Sequence, residues 1–137
     1  MSNSSKISFQ SDGSPFSEQF NDIYFDTESG YQQSEHVFVR GNKIAERLSC
    51  ANTEFTIGET GFGTGLNFLL TLQTYIRLQN TKTLPPLHFI STEKYPLTKA
   101  QLARSLESLP EIKRLSKMLI DVYPDSITEN CTFTLLN

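Results

Sequence analysis

Tryptophan is absent from the 137 residues, and cysteine occurs only twice. Cys50 and Cys131 form no close pair and sit near no histidine cluster, which excludes a cysteine metal site and a disulfide framework. Two reduced thiols are expected instead, and no metal. A basic surplus is missing too. Twelve Lys and Arg stand against fifteen Asp and Glu, for a net charge of −3 and a pI near 5.3. Bulk charge therefore gives no sign of a nucleic-acid module. No apolar run approaches the roughly 20 residues that cross a bilayer. The opening MSNSSKISFQSDGS has no apolar core of a signal peptide. A cytoplasmic protein with no membrane association is the expectation, and no internal repeat is visible. What the chain does have is 37% hydrophobic residues, ten of them Phe, enough for the core of one domain.

The densest information lies in Phe55 to Phe68, FTIGETGFGTGLNF. An apolar strand end, Phe55 to Ile57, runs into Gly61, Gly63 and Gly65 at alternate positions, and Leu66 opens an apolar pattern of helical period. Glycine permits positive φ and lets a ligand approach the backbone. The helix start beyond it offers free N–H groups and a positive dipole end to an anionic group. The pattern predicts a pocket for an acidic small molecule at the end of a parallel strand. A P-loop is excluded, because no lysine follows Gly65. Dinucleotide sites use G-x-G-x-x-G, whereas this spacing is G-x-G-x-G with Glu59 ahead of it. The acid-first form resembles motif I of class I methyltransferases, which bind S-adenosylmethionine. A glycine-rich turn without a ligand is the remaining alternative.

Around this loop the rest falls into order. Residues 1–14 read as a flexible lead, with a short strand at Lys6 to Gln10, and residues 15–137 read as the domain. Phe16, Phe20, Tyr24, Phe25 and Tyr31 are either core or a lid whose rings stack on a base. His36 to Arg40 is a short helix or strand, Gly41-Asn42 a turn or helix cap, and a helix begins near Lys43. A strand is expected at about Phe55 to Gly58. A helix follows from Thr64 or Gly65 to about Gln79, with Thr64 as its cap and Leu66, Leu69, Leu70 and Ile76 on its buried face. Leu87 to Thr92 is the second strand. The resulting βαβ unit is expected to be parallel and right-handed. Glu93 then lies at the carboxyl end of the second strand, in the crevice above the glycines, where an acid can accept from a ribose diol. Lys94 beside it reads as a surface charge. Thr98 to Gln101 is a capping box, and Ser108 to Glu111 a second one with proline in the first turn. The helices they open bury Leu102, Leu106 and Leu109, then Ile112, Leu115 and Leu119. Cys131 to Leu136 reads as a strand.

DIYF at Asp22, GETGFGTGLNF at Gly58 and HFISTEKYPLT at His88 together resemble the methyltransferase domain of the MnmC family, from about Phe16 to the last residue. That resemblance implies an α/β fold, the N-terminal part of a class I methyltransferase with a Rossmann-like parallel sheet. It implies S-adenosylmethionine as cofactor and tRNA as partner. The reaction would be methylation of 5-aminomethyl-(2-thio)uridine at the wobble position. It also implies that Glu59, Gly61, Gly63, Gly65 and Asn67 belong to the cofactor loop, with Glu93 at the ribose, Lys94 following it, and Tyr24 and Phe25 near the cofactor. The family's FAD-dependent oxidoreductase domain has no counterpart here. Neither do its later strands, including an adenine-contacting acid and the family's candidate proton acceptor. The expectation is therefore a truncated chain, inactive alone, whose incomplete sheet edge promotes self-association. No catalytic residue is assigned. The competing readings are an NAD(P)- or FAD-binding oxidoreductase fragment and a non-catalytic interaction fragment.

Overall fold

A computed structural model describes residues 5–136. The first four residues of the expected lead, and Asn137, lie outside the described residues. Ile7–Phe9 (β1) pairs antiparallel with Pro15–Ser17 (β2), which pairs with Asp22–Ile23 (β3). This small sheet is tied to the body at Ser5, whose carbonyl accepts from Gln101 Nε2 at 3.0 Å, and both Ser5 and Ser14 are buried.

Next come Gly30–Ser34 (α1), a π-helical turn over Glu35–Arg40, and Ile44–Cys50 (α2). The aromatic and β-branched run at 36–40 is therefore helical, with wide turns: Gly41 N–H reaches His36 O at 3.0 Å. Gly41 caps this helical turn, one of the two roles expected of Gly41-Asn42, without taking a left-handed conformation. Its φ is −57°, and a Cβ there would lie 2.2 Å from Val37 O. Lys43 takes the left-handed conformation instead, at φ 51°, and opens α2.

Phe55–Thr60 (β4), Leu66–Gln79 (α3) and Leu87–Glu93 (β5) form the expected parallel βαβ unit. Both strands outrun their sequence pattern. Pairing continues through Glu59 to Ser91 and Thr60 to Thr92, so Glu59 belongs to a strand rather than to the turn. Lys99–Leu106 (α4), a 3-10 turn at Pro110–Ile112, Lys113–Val122 (α5) and Cys131–Leu136 (β6) complete the chain. The Thr98 box forms in both directions, through Gln101 N–H to Thr98 Oγ1 and Thr98 N–H to Gln101 Oε1. The Ser108 box does not. Ser108 Oγ donates back to Ser105 O, and Leu109 begins the next turn uncapped.

The fold is α/β, but the main sheet, in order β4-β5-β6, is not wholly parallel. β6 runs antiparallel to β5, pairing Cys131 with Glu93 and Leu135 with Phe89. Strand alternation in CTFTLL announces a strand without fixing its direction. Helices cover one face of the sheet, where Leu87, Phe89 and Ser91 are buried against Leu69, Leu70 and Phe68. The other face, with Thr56, Thr60, Ile90, Thr92, Thr132 and Thr134, is exposed. In α3 the buried face is broader than its leucines and includes Phe68, Thr71, Thr74 and Tyr75, while Ile76 is exposed. Leu102, Leu106, Leu109 and Ile112 are buried as expected, and no helix among the described residues is long and apolar enough to cross a membrane.

Candidate functional site

The glycine turn leaves the end of β4 and crosses to α3 with Gly61, Gly63 and Gly65 all at positive φ (84°, 54° and 71°). The three do different things. A Cβ at Gly65 would strike the Phe62 ring at 2.8 Å and Leu119 at 3.1 Å, so this glycine serves packing. Around a Cβ at Gly61 there is no heavy atom within 4 Å, so its space belongs to the cavity beyond. Gly63 faces the Tyr24 ring, 3.4 Å from where its Cβ would stand.

The loop's own N–H groups are largely used. Gly61 and Phe62 donate to Thr92 O at 2.8 and 3.2 Å, and Gly63 donates to Glu93 Oε2 at 2.9 Å. What stays open is the start of α3. Thr64 does not cap it: the cap residue is Gly65, which has no side chain to give. The first-turn N–H groups of α3 therefore keep their positive end available.

Glu93 sits beside the glycines at the end of β5, as its position in the βαβ unit predicts. Its other oxygen, Oε1, accepts from Tyr95 N–H at 2.9 Å. A carboxylate has about four acceptor positions, so each oxygen still has room for a further donor. Lys94 turns away, with its Nζ 5.1 Å from the Tyr95 ring.

Glu59 lies behind the loop. Its Oε1 accepts from Ser91 Oγ at 2.7 Å and its Oε2 from Asn67 Nδ2 at 3.0 Å. Burial pushes its carboxyl above the usual carboxylate range. The two hydrogen bonds oppose that shift, and the neighbouring Glu93 charge adds to it. Asn67 Oδ1 in turn accepts from Ser34 Oγ. A polar chain thus joins β5, β4, α3 and the end of α1. Ser34 and Ser91 carry no spacing signal, and no pattern in the sequence singles them out.

A cavity of about 390 Å³ opens between the glycine turn and the helical wall of α1 and the π-helical turn. Tyr24, Phe25, Gln33, Ser34, Val37 and Phe38 line one side; Gly61, Gly63 and Asn67 line the other. Tyr24 Oη meets Ser5 Oγ at 3.1 Å, which fixes the ring over Gly63. Phe25 is buried against Gly30, so most of it is core. Of the residues expected at a cofactor, Tyr24, Phe25, Gly61, Gly63 and Asn67 line this cavity; Glu59, Gly65, Glu93 and Lys94 do not. The size falls within the usual range of small-molecule sites. A second groove of about 300 Å³, between α3, α5 and β6, is walled by Phe62, Phe68, Leu115, Leu119, Tyr123 and Phe133. It has almost no polar group to orient a ligand and is a stretch of uncovered core. Among the described residues, no three His, Cys, Asp or Glu side chains group as a metal site.

No protein-family model matches the chain. Similarity to individual proteins is strong. The chain is 48% identical over 120 residues to the tRNA 5-methylaminomethyl-2-thiouridine biosynthesis bifunctional protein MnmC of Marinomonas sp. (strain MWYL1), covering 87% of this chain and 18% of that protein. To the protein of the same name from Haemophilus ducreyi it is 46% identical over 119 residues, with 84% and 18% covered. To that of Methylobacillus flagellatus it is 45% identical over 113 residues, with 82% and 17% covered. The chain thus spans less than a fifth of the length of these relatives.

Proposed function

Because this chain is a relative of the MnmC proteins over most of its own length and about 18% of theirs, we propose that it forms the S-adenosylmethionine-binding part of a tRNA methyltransferase. The substrate proposed is 5-aminomethyl-(2-thio)uridine at the tRNA wobble position, and the product its 5-methylaminomethyl form. The compartment proposed is the cytoplasm. The observation that carries the ligand choice is the juxtaposition of an open glycine cradle with Glu93, which hydrogen-bonds Gly63 from the adjacent strand end.

The residues fit the group. The empty space at Gly61 admits a ligand chain, and the uncapped start of α3 suits its carboxylate. Glu93 retains acceptor positions for ribose hydroxyls. Gly61, Gly63 and Asn67 would hold the methionine portion, with Gly65 shaping the turn and Glu59 behind it. Tyr24 and Phe25 would form the aromatic side. S-adenosylmethionine supplies a methyl group on positively charged sulfur. The chain's own residues bind and orient it, and alignment of a neutral amine with that group would account for much of the rate. No residue of this chain is assigned as the proton acceptor. FAD is not proposed for this segment.

An oxidoreductase fragment binding NAD(P) or FAD is the lesser reading, since the G-x-G-x-G spacing departs from the dinucleotide fingerprint. The exposed sheet face is the observation that favours an interaction role beside binding. Isothermal titration with S-adenosylhomocysteine, NAD and FAD separates these readings. Binding of S-adenosylhomocysteine alone is expected, and it is weak for the isolated chain. Micromolar binding of NAD without S-adenosylhomocysteine would overturn the ligand choice.

A further inference from the structure

The motif's leading acid, Glu59, has both carboxylate oxygens engaged inside the protein, and it is not part of the cavity wall. We propose that Glu59 is a positioning residue that acts through Asn67 to hold the α1 and π-helical wall of the cavity at its working distance from the glycines. The inference rests on the proposed ligand only for its consequence in binding; the linkage itself does not depend on a ligand.

Chemistry fixes the direction of the chain of bonds. An ionised carboxylate can only accept. Asn67 must therefore turn its NH₂ toward Glu59, which leaves Oδ1 facing the other way, toward Ser34. Ser34 is the last residue of α1 and immediately precedes the π-helical turn, so the Ser34 hydroxyl anchors the wall where its geometry changes. Ser91, fully buried on β5, donates to the remaining oxygen of Glu59 and stops the carboxylate from rotating. Tyr31 Oη, donating to Gln73 Oε1 at 2.8 Å, is a second tie between α1 and α3 and keeps the wall attached when the first is cut. The wall residues beyond Ser34 that face the cavity are Val37, 64% exposed, and Phe38; Val39 is buried in the core and Phe38 pairs with Phe89, so core packing holds the middle of this segment and the hydrogen-bond chain sets its Ser34 end.

Hydrogen exchange of the 35–40 amides in the whole chain tests this without a ligand. Ser34→Ala and Glu59→Ala should each speed that exchange about tenfold, the worth of one hydrogen bond, while amides in α4 stay at the wild-type rate. The double variant should exchange no faster than either single one, because both cut the same chain. Ser34→Thr, which keeps the hydroxyl, should behave as wild type. Should Glu59→Ala not fold, Asn67→Ala reads the same link. Additive effects, or Glu59→Ala weakening S-adenosylhomocysteine binding with wall exchange unchanged, would overturn the positioning role. Failure of wild-type protein to bind S-adenosylhomocysteine would count against the ligand, not against the linkage.

Discussion

Two glycines in one turn are expected to fail in opposite ways when each is replaced by alanine. At Gly65 the new Cβ meets Phe62 at 2.8 Å and Leu119 at 3.1 Å, on a backbone at φ 71°. The left-handed conformation costs about 1–2 kcal/mol for a residue with a Cβ. Pushing a methyl into a packed site costs a further ~1–3 kcal/mol. Gly65→Ala should therefore lose about 2–5 kcal/mol, a large part of the ~5–15 kcal/mol that holds a domain together. At roughly 3–6 °C per kcal/mol for a domain of this size, Tm should drop by about 6 °C at the least. Gly61 is equally left-handed, at φ 84°, but its Cβ would meet nothing. Gly61→Ala should lose only the conformational ~1–2 kcal/mol, and its methyl projects into the cavity. Calorimetric melts and titration with S-adenosylhomocysteine on both variants give the comparison. Gly61→Ala should bind at least tenfold more weakly while its stability falls only by the conformational ~1–2 kcal/mol, less than that of Gly65→Ala. Gly65→Ala should melt early and, at temperatures where it is folded, bind nearly as wild type. Equal stability losses at the two positions would refute the packing argument. Undiminished binding by Gly61→Ala would refute the cavity as the ligand site.

The Glu59 carboxyl gives a pH signature. Its folded pKa lies above the ordinary 4.5, so between 4.5 and that raised value the folded state holds more protons than the unfolded one. The group's contribution to stability is full below 4.5 and is lost as pH rises through the raised value. Glu59→Gln should remove this downward slope from a series of denaturant melts across that window; an unchanged slope would show that Glu59 is not its source. The exposed face of the main sheet carries Ile90, 39% exposed, next to β4, a sheet edge among the described residues. Open edges of this kind pair with other chains. The chain should show concentration-dependent mass in light scattering, and Thr56→Lys on the edge strand β4 should reduce it; a wild-type protein monomeric at all concentrations would contradict this.

What could be read in advance was local or followed from one strong rule. The Thr98 box is legible because both partners lie within one turn and nothing else competes for them. Glu93 could be placed beside the glycines because a right-handed crossover brings the two strand ends together, and the Gly63 hydrogen bond has that neighbourhood. The failures have physical causes of their own. Ser108 found a carbonyl behind it and abandoned its box. Thr64 yielded the cap to Gly65, whose left-handed backbone at φ 71° immediately precedes the first helical residue. The π-helical turn follows from backbone bonds such as Gly41 to His36, which no side-chain period encodes. Ser34 and Ser91 matter through residues more than thirty positions away, and a small hydroxyl residue has no spacing that marks it. The antiparallel direction of β6 likewise depends on how the chain returns after α5, not on the alternation of its residues.

Backbone amide shift mapping by NMR reads whether a nucleoside binds in the cavity between the glycine turn and the helical wall. Titration with S-adenosylhomocysteine should move the signals of Gly61, Gly63, Asn67, the 33–38 wall and Glu93 together, on one binding curve, and equal NAD should leave them in place. Shifts produced by NAD instead, or by S-adenosylhomocysteine only along the apolar groove at Leu115 and Phe133, would contradict binding there.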